Sequence, residues 1–324
     1  PMQNNWNDLD PAIHIKYINT KTYFPGIIKL AFFLICYTRK KKVDLVASSN
    51  ININALLGLL KKIKLLKTKK LIIRETTSVF LRIKGFKKLI HTIKYLIGYS
   101  SADLIICQTE LMKQQFLDNL KVSRKWKMIT IQNPVNFSNI IQLSTENNSD
   151  LLKRKYIVSA GRFIHEKGFD ILIKAFAQIA KNDQALDLVI LGEGELKKQF
   201  ENLIRELKLE KRVYMPGFIK NPIPYFKTAE VCVVSSRFEG FPNVLLQMAA
   251  VNNKIVSTLC AGNIDSIPSI KTCPTDNISL LAESITEAIN KLPDNESITS
   301  KFLFLDSISV SNYVKTIENL IYGK

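Results

Sequence analysis

The sequence predicts an α/β protein of two doubly wound domains that face each other across a cleft. Three observations carry that reading: short β-rich runs alternate with longer helical patterns, the alternation is laid out twice, and a polar stretch divides the two sets. In the first half the β-rich runs are His14–Ile18, Val43–Ser48, Leu71–Arg74, Leu104–Gln108 and Met128–Gln132. In the second they are Tyr156–Ala160, Leu188–Leu191, Val213–Met215, Val231–Ser235 and Ile255–Thr258. Strands separated by helices pair in parallel, because a parallel neighbour needs a long crossover connection. Asn133-Pro134-Val135-Asn136 and the polar run from Ser144 to Asp150 read as the linker. The domains are then 1–150 and 151–324, with the last helix expected to pack back on the first. Ligands of open parallel sheets sit beyond the carboxyl ends of the strands, so loops from both domains would line the cleft.

The 324 residues are long for one hydrophobic core and comfortable for two. Five widely spaced cysteines, with no C-x-x-C pair, speak against a disulfide framework or a zinc site and for a reducing cytosol. No signal-peptide layout is read, and the longest apolar stretch, Leu30 to Tyr37, falls far short of the roughly 20 residues that cross a bilayer. Net charge is +18 and unevenly held: residues 1–150 carry 24 Lys and Arg against 9 Asp and Glu, while residues 151–324 carry 22 against 19. A basic surface on the first domain is expected. Its lysines interleave with Leu, Ile and Phe in Leu59–Lys67 and Phe80–Ile90, read as two basic amphipathic helices suited to an anionic membrane surface. Few arginines, no helix-turn-helix punctuation and no RNA-binding aromatic pattern speak against nucleic acid as a partner.

Chemistry concentrates at three strand ends of the second set. Phe238-Glu239-Gly240-Phe241-Pro242-Asn243-Val244 places a carboxylate and a series of amides just before a helix. Pro242 suits the first turn, Asn243 can cap it, and the amides from Val244 onward form an anion site for a sugar diphosphate. Glu239 lies beside that site, placed to bond neutral sugar hydroxyls. After Ala160, the loop from Gly161 to Gly168 holds Arg162 and Lys167, two cations able to offset the charge that builds on a departing nucleotide. Leu191-Gly192-Glu193-Gly194-Glu195 repeats the geometry one unit later, its glycines permitting close backbone approach to a ligand. No cluster of Asp, Glu and His has metal-ligand spacing.

Taken in order, SAGRFIHEKGFDILIKAF, VILGEGELKKQF, VYMPGFIKNPIPYFKTAEVCVVSSRFEGFPNVLLQMAA and IVSTLCAGNIDSI resemble the nucleotide-binding half of the retaining GT-B glycosyltransferases of group 1. That family builds bacterial surface polysaccharide, lipopolysaccharide and protein glycans. The matching motifs run over about residues 100–265 and include Cys107-Gln108-Thr109-Glu110 and Asn133-Pro134-Val135. The resemblance implies two Rossmann-like domains and a UDP-sugar donor, its diphosphate held by Arg162 and Lys167 beside Gly161. It implies that Glu239 contacts the donor sugar and that the stretch Gly240, Phe241, Pro242, Asn243 and Val244 contacts phosphate and sugar through its amides. The base would lie near Gly217 and Phe218, with Gly192 and Gly194 in the same donor site. Transfer with retention, no metal and no cofactor are implied as well.

Two departures from the family pattern bear on these expectations. The family's second glutamate, expected on ribose, is Gln247, whose amide can bond a hydroxyl but without charge assistance, which predicts weaker nucleotide affinity. The family's opening strand and Gly-Gly loop have no counterpart before Gly26, so the first domain is expected to lack its first βα unit. In the strand-end loop Ile73 to Ser78, which has no histidine, Arg74, Glu75 and Thr76 are the candidates for acceptor contacts. His165 is expected in solvent, His14 and His91 as packing residues of a strand and a helix. The expected protein is a cytosolic enzyme on the inner face of the plasma membrane. It would move a hexose or N-acetylhexosamine from a UDP-sugar to a lipid-linked glycan, the alternative being a non-catalytic sugar-nucleotide-binding relative or scaffold.

Overall fold

The computed structural model describes residues 10–323 apart from 11, 21, 77–79, 81, 82, 84, 147–153 and 292. Its strands form two parallel sheets. The first holds β1 (Val43–Ser48), β2 (Thr68–Glu75), β3 (Leu104–Cys107) and β4 (Met128–Thr130), side by side in chain order. The second holds β5 (Tyr156–Ala160), β6 (Asp187–Leu191), β7 (Val213–Gly217), β8 (Val231–Val234), β9 (Ile255–Thr258) and β10 (Lys271–Cys273), in the order 10-9-8-5-6-7. β10, three residues on an edge with only Cys273 buried, has no apolar run and was not expected from the sequence.

Alternate residues of each strand in the second sheet feed opposite cores: Tyr156 and Val158 enter one cluster, Ile157 the other. One face is covered by α6 (Phe169–Ile179), α7 (Lys197–Glu206) and α10 (Ile278–Asn290). The opposite face is covered by α5 (Phe137–Leu143), α8 (Ile223–Thr228), α9 (Asn243–Val251) and α11 (Asn295–Ser307). Burial on both faces is why these strands read as continuous apolar runs.

In the first sheet the strand order does not reverse among the described residues. Winding in both directions belongs to the second sheet. On one face lie α1 (Tyr23–Lys40), α2 (Ile51–Lys62), α3 (Gly85–Gly98) and α4 (Glu110–Asn119), over Leu71, Ile73, Ile105 and Cys107. α2 and α3 cross so closely that a Cβ on Gly58 would stand 1.7 Å from the Gly98 carbonyl oxygen. On the other face α12 (Val310–Tyr322) returns from the second domain to cover Ile72, Leu104 and Ile106.

Two expectations give way, and a third falls outside the described residues. Residues 14–18 join neither sheet, since their apolar alternation finds no ladder partner among the described residues, and His14 is exposed rather than packed in a strand. Leu59–Lys67 is not one helix: α2 ends at Lys62 and the chain turns at Lys64 with φ +60°. Packing passes to the second domain near Val135, where Val135 and Ile140 enter its core, earlier than the boundary at 150, which lies outside the described residues. Residues 81, 82 and 84 of the Phe80–Ile90 segment are also outside them, and its remainder opens α3. No helix among the described residues is long and apolar enough to cross a membrane.

Candidate functional site

β5 and β8 pair where the strand order of the second sheet reverses, which is where open parallel sheets form a ligand crevice, beyond the carboxyl ends of the strands. β5 delivers the loop Gly161 to Gly168; β8 delivers Ser235 to Gly240. Gly168 fastens the two loops, because its φ is +61° and a Cβ there would lie 2.1 Å from the Ser235 carbonyl oxygen. The Ser235 hydroxyl donates to the Lys167 carbonyl at 3.0 Å.

The Lys167 side chain then runs across Gly161, where a Cβ would come within 3.1 Å of its Cε. Its Nζ meets Glu239 Oε1 at 2.5 Å. The Ser236 hydroxyl donates to the same oxygen at 2.9 Å, and the Glu239 amide donates to the Cys260 carbonyl at 2.8 Å. Both charged side chains are mostly buried, at 18% and 17% exposure, and Glu239 Oε2 takes no partner among the described residues. Arg162 lies on the same loop but outside this pair, exposed and without an ion pair among the described residues. Burial pushes the neighbouring Cys260 thiol up to about 12, which leaves it neutral and a poor nucleophile.

The sequence reading missed Arg237, the residue that holds the cationic loop in place. It is buried, forks onto Asp170 with bonds of 2.8 and 2.7 Å, reaches Asp276 at 2.5 Å and donates to the His165 carbonyl at 2.9 Å. Burial pulls the Asp170 carboxyl upward, and the Arg237 fork more than offsets it, leaving that carboxyl below its usual range. An arginine three residues past a buried strand was the available signal; its partners stand 67 and 39 positions away.

The helix after Glu239 starts differently from expectation. Pro242 is the N-cap of α9, with φ −77° and ψ 96°, and Asn243 is the first helical residue, so Pro242 does not fill the first turn and Asn243 does not cap it. Asn243 Oδ1 instead accepts from Asn133 Nδ2 of the interdomain segment. No side chain caps α9, and the amides of Asn243 and Val244 take no acceptor among the described residues, so the positive end of the helix stays open to an anion. Gln247, one turn on, is half-buried with no hydrogen bond among the described residues. Phe241 is buried and anchors the loop in the core below α9.

Glycine is required at 192, 194 and 240 by the close approach of neighbouring protein atoms. A Cβ on Gly192 would lie 1.9 Å from the Gly161 carbonyl oxygen, and one on Gly194 2.5 Å from that of Phe163. At Gly240 the obstacle is the first domain, with the Thr76 carbonyl oxygen at 2.2 Å and Gln108 Oε1 at 3.0 Å. Gly217, with φ +94°, ends β7 beside Glu193, and the adjacent Phe218 ring is 77% exposed.

From the first domain, Thr76 thus borders the crevice through its carbonyl, and Arg74 Nη2 donates to Asn133 Oδ1, on the same amide that holds Asn243. Glu75 does not reach the crevice. It shares the strand face of Ile73, is buried, and accepts from the Tyr99 hydroxyl at 2.7 Å.

Residues 141–301 match the family described as glycosyl transferases group 1. An uncharacterized glycosyltransferase of Methanocaldococcus jannaschii is 30% identical over 263 residues, covering 78% of this chain and 64% of its own length. The N-acetylgalactosamine-N,N'-diacetylbacillosaminyl-diphospho-undecaprenol 4-alpha-N-acetylgalactosaminyltransferase of Campylobacter jejuni is 37% identical over 191 residues, 58% of this chain and 51% of its own. The chain therefore spans less than two thirds of the length of these curated relatives. Anabaena HepE, solved in complex with UDP, superimposes with a TM-score of 0.74 at 16% identity, over 93% of this chain and 82% of that one. That likeness is one of fold, two Rossmann-like domains in the GT-B arrangement.

Proposed function

The chain belongs to the glycosyl transferases group 1 family, and from that premise we propose that it is a retaining glycosyltransferase moving a hexose or N-acetylhexosamine from a UDP-sugar to a lipid-linked or growing surface glycan. The observation that carries this reading is the pairing of Lys167 with Glu239, four residues before the uncapped start of α9, at the reversal point of the second sheet.

Without donor, each member of the pair neutralises the other, which keeps two charges tolerable in a half-closed crevice. An entering diphosphate competes for the ammonium: Lys167 and Arg162 take its oxygens, with the amides of Asn243 and Val244. Glu239 then accepts from hydroxyls of the donor sugar. The acceptor hydroxyl attacks the anomeric carbon on the face from which the diphosphate leaves. The bond from that carbon to the phosphate oxygen breaks, the bond to the acceptor oxygen forms, and the acceptor proton passes to the departing phosphate. Positive charge for the leaving group comes from Lys167, Arg162 and the α9 dipole, so the scheme assigns no metal and no cofactor. Phe218 offers a stacking face for the base and Gln247 an amide for ribose. UDP in the HepE complex and the diphospho-undecaprenol in the name of the Campylobacter relative support the choice of donor and of a lipid-linked acceptor. Arg74 and Thr76 border the acceptor side, and a lipid-linked acceptor places the enzyme peripherally on the inner face of the plasma membrane.

The test is transfer from a panel of UDP-hexoses and UDP-N-acetylhexosamines to a polyprenyl-diphosphate oligosaccharide, with the anomer of the product read by NMR. Glu239→Gln and Lys167→Ala are each expected to cost at least about 100-fold in kcat/KM. Activity within about threefold of wild type after changing Lys167, Glu239 and Arg162 together would overturn the site. UDP binding by calorimetry with no turnover would favour the non-catalytic alternative.

A further inference from the structure

Three helices of the first domain carry a surface that the donor site does not use. α1, α2 and α3 lie on one face of the first sheet, α1 against α2 and α2 against α3. Together they hold eight Lys and Arg and no Asp or Glu. A helix on a sheet ordinarily turns its apolar stripe inward. α3 also turns one outward: Phe86, Leu89, Ile90, Ile93 and Ile97 recur at spacings of three and four, all exposed, with Phe86 at 75%. Only Tyr95 and Gly98 of α3 are buried. α1 presents Phe24, Ile28 and Phe32 four residues apart, with Phe24 at 73% and Phe32 at 69%.

Scattered exposed apolar residues are ordinary, but two outward stripes on neighbouring helices that carry no acidic residue are not scattered. Lys29 and Arg39 on α1, Lys62 on α2, and Lys87 and Lys94 on α3 make no ion pair among the described residues. Apolar rings flanked by uncompensated ammonium groups match one environment closely: an interface where rings enter the acyl boundary while cations remain among anionic headgroups.

We propose that α1 and α3 form an interfacial plate that inserts Phe24, Phe32, Phe86 and Ile93 into the surface of an anionic bilayer. It shares with the proposed function only the membrane placement and not the chemistry. Lysines alone would bind electrostatically and let go in salt; inserted rings hold on.

The experiment is co-sedimentation of the full chain with phosphatidylcholine vesicles, with and without phosphatidylglycerol, at low and high salt. Binding is expected to need the anionic lipid and to survive in part at high salt. Phe24→Glu with Phe86→Glu should weaken it at least about tenfold, and Lys87→Gln or Lys94→Gln about fivefold each at low salt only. Phe24, Phe86 and Lys87 are exposed and Lys94 is half-buried, and unchanged melting curves exclude a folding defect. Phe86→Trp should shift its emission to the blue on vesicle addition. Wild-type binding by the double glutamate variant, an unshifted emission spectrum from Phe86→Trp, or wild type left in the supernatant overturns the plate. So does a dimer that the double variant dissociates while vesicles go unbound, which would assign the face to a second copy. Transfer to a water-soluble acceptor is measured separately: vesicle binding without transfer sinks the chemistry alone, and transfer without binding sinks the plate alone.

Discussion

Replacing Arg237 with alanine should unfasten the Lys167 loop without removing any group that meets the donor. The guanidinium makes two bonds to Asp170, one to Asp276 and one to the His165 carbonyl, and its side chain is 8% exposed. Its loss strands Asp170, itself 28% exposed, whereas Asp276 at 51% can turn to water. Breaking a buried pair costs roughly 3–5 kcal/mol. Partial exposure of Asp170, and its place in the first turn of α6 where the helix dipole favours a carboxylate, bring the expected cost to about 3 kcal/mol. For a domain of this size that is a fall of about 6–12 °C in Tm. Arg237→Lys should recover less than half, because an ammonium cannot reproduce the fork.

The sign of the pH dependence gives a second reading of the same variant. The folded Asp170 carboxyl lies below its ordinary value of 3.8, so the contribution of the pair is present above that value and lost as pH falls through the folded one. Wild type and Arg237→Ala should therefore differ most near neutral pH and converge in acid. Scanning calorimetry over a pH series measures both effects. A variant melting within about 1 °C of wild type at neutral pH, or a gap that stays constant into acid, would refute the reasoning.

Lys301 offers the opposite sign: it has no exposure, donates to the Asn252 carbonyl at 2.8 Å and to Asn253 Oδ1 at 2.6 Å, and is pulled by burial from 10.5 to about 8. The unfolded lysine binds its proton more tightly, so stability should rise with pH across that window, by up to about 3 kcal/mol, and Lys301→Met should abolish the rise. Urea denaturation of both proteins across the window reads the difference, and parallel profiles would refute it. Gly168→Ala combines φ +61° with a Cβ 2.1 Å from the Ser235 carbonyl oxygen. A loss of at least about 2 kcal/mol in urea denaturation is expected, and a loss under about 0.5 kcal/mol would show that the two loops can part freely.

Much of the fold was legible because burial on both faces writes a strand as an apolar run, unbroken in β3 and β8 and interrupted by one or two polar residues in β5, β6 and β9. β10 left no such trace, and residues 14–18 left a false one, since alternation without a neighbouring strand is only an extended chain. Lys167 and Glu239 were legible as strand-end residues of one sheet. Their ion pair was not, because it depends on how Gly168 packs on Ser235. Burial of Glu75 could have been read from its parity with Leu71 and Ile73 in β2, and was not. The glycines at 192, 194 and 240 were legible as positions that exclude a side chain, but sequence could not say whether a ligand or another loop does the excluding.

The start of α9 is therefore positioned from both sides. From the second domain it follows the Glu239 loop; from the first, Arg74 holds Asn133 and Asn133 holds Asn243, while Gly240 rests against the Thr76 carbonyl. The chain passes between domains near Val135 and again near Ser309, and those points touch: the Val135 amide donates to the Ile308 carbonyl at 2.9 Å, and Val135 bridges Ser309 in parallel. Two adjacent crossings make that point the covalent pivot between the sheets, and interdomain contacts farther from it resist rotation at a longer lever arm. The contacts that such rotation stretches include those at Asn133 and Gly240. The start of α9 is thus held by groups of both domains, and an anion bound at the Asn243 and Val244 amides would depend on both for its geometry.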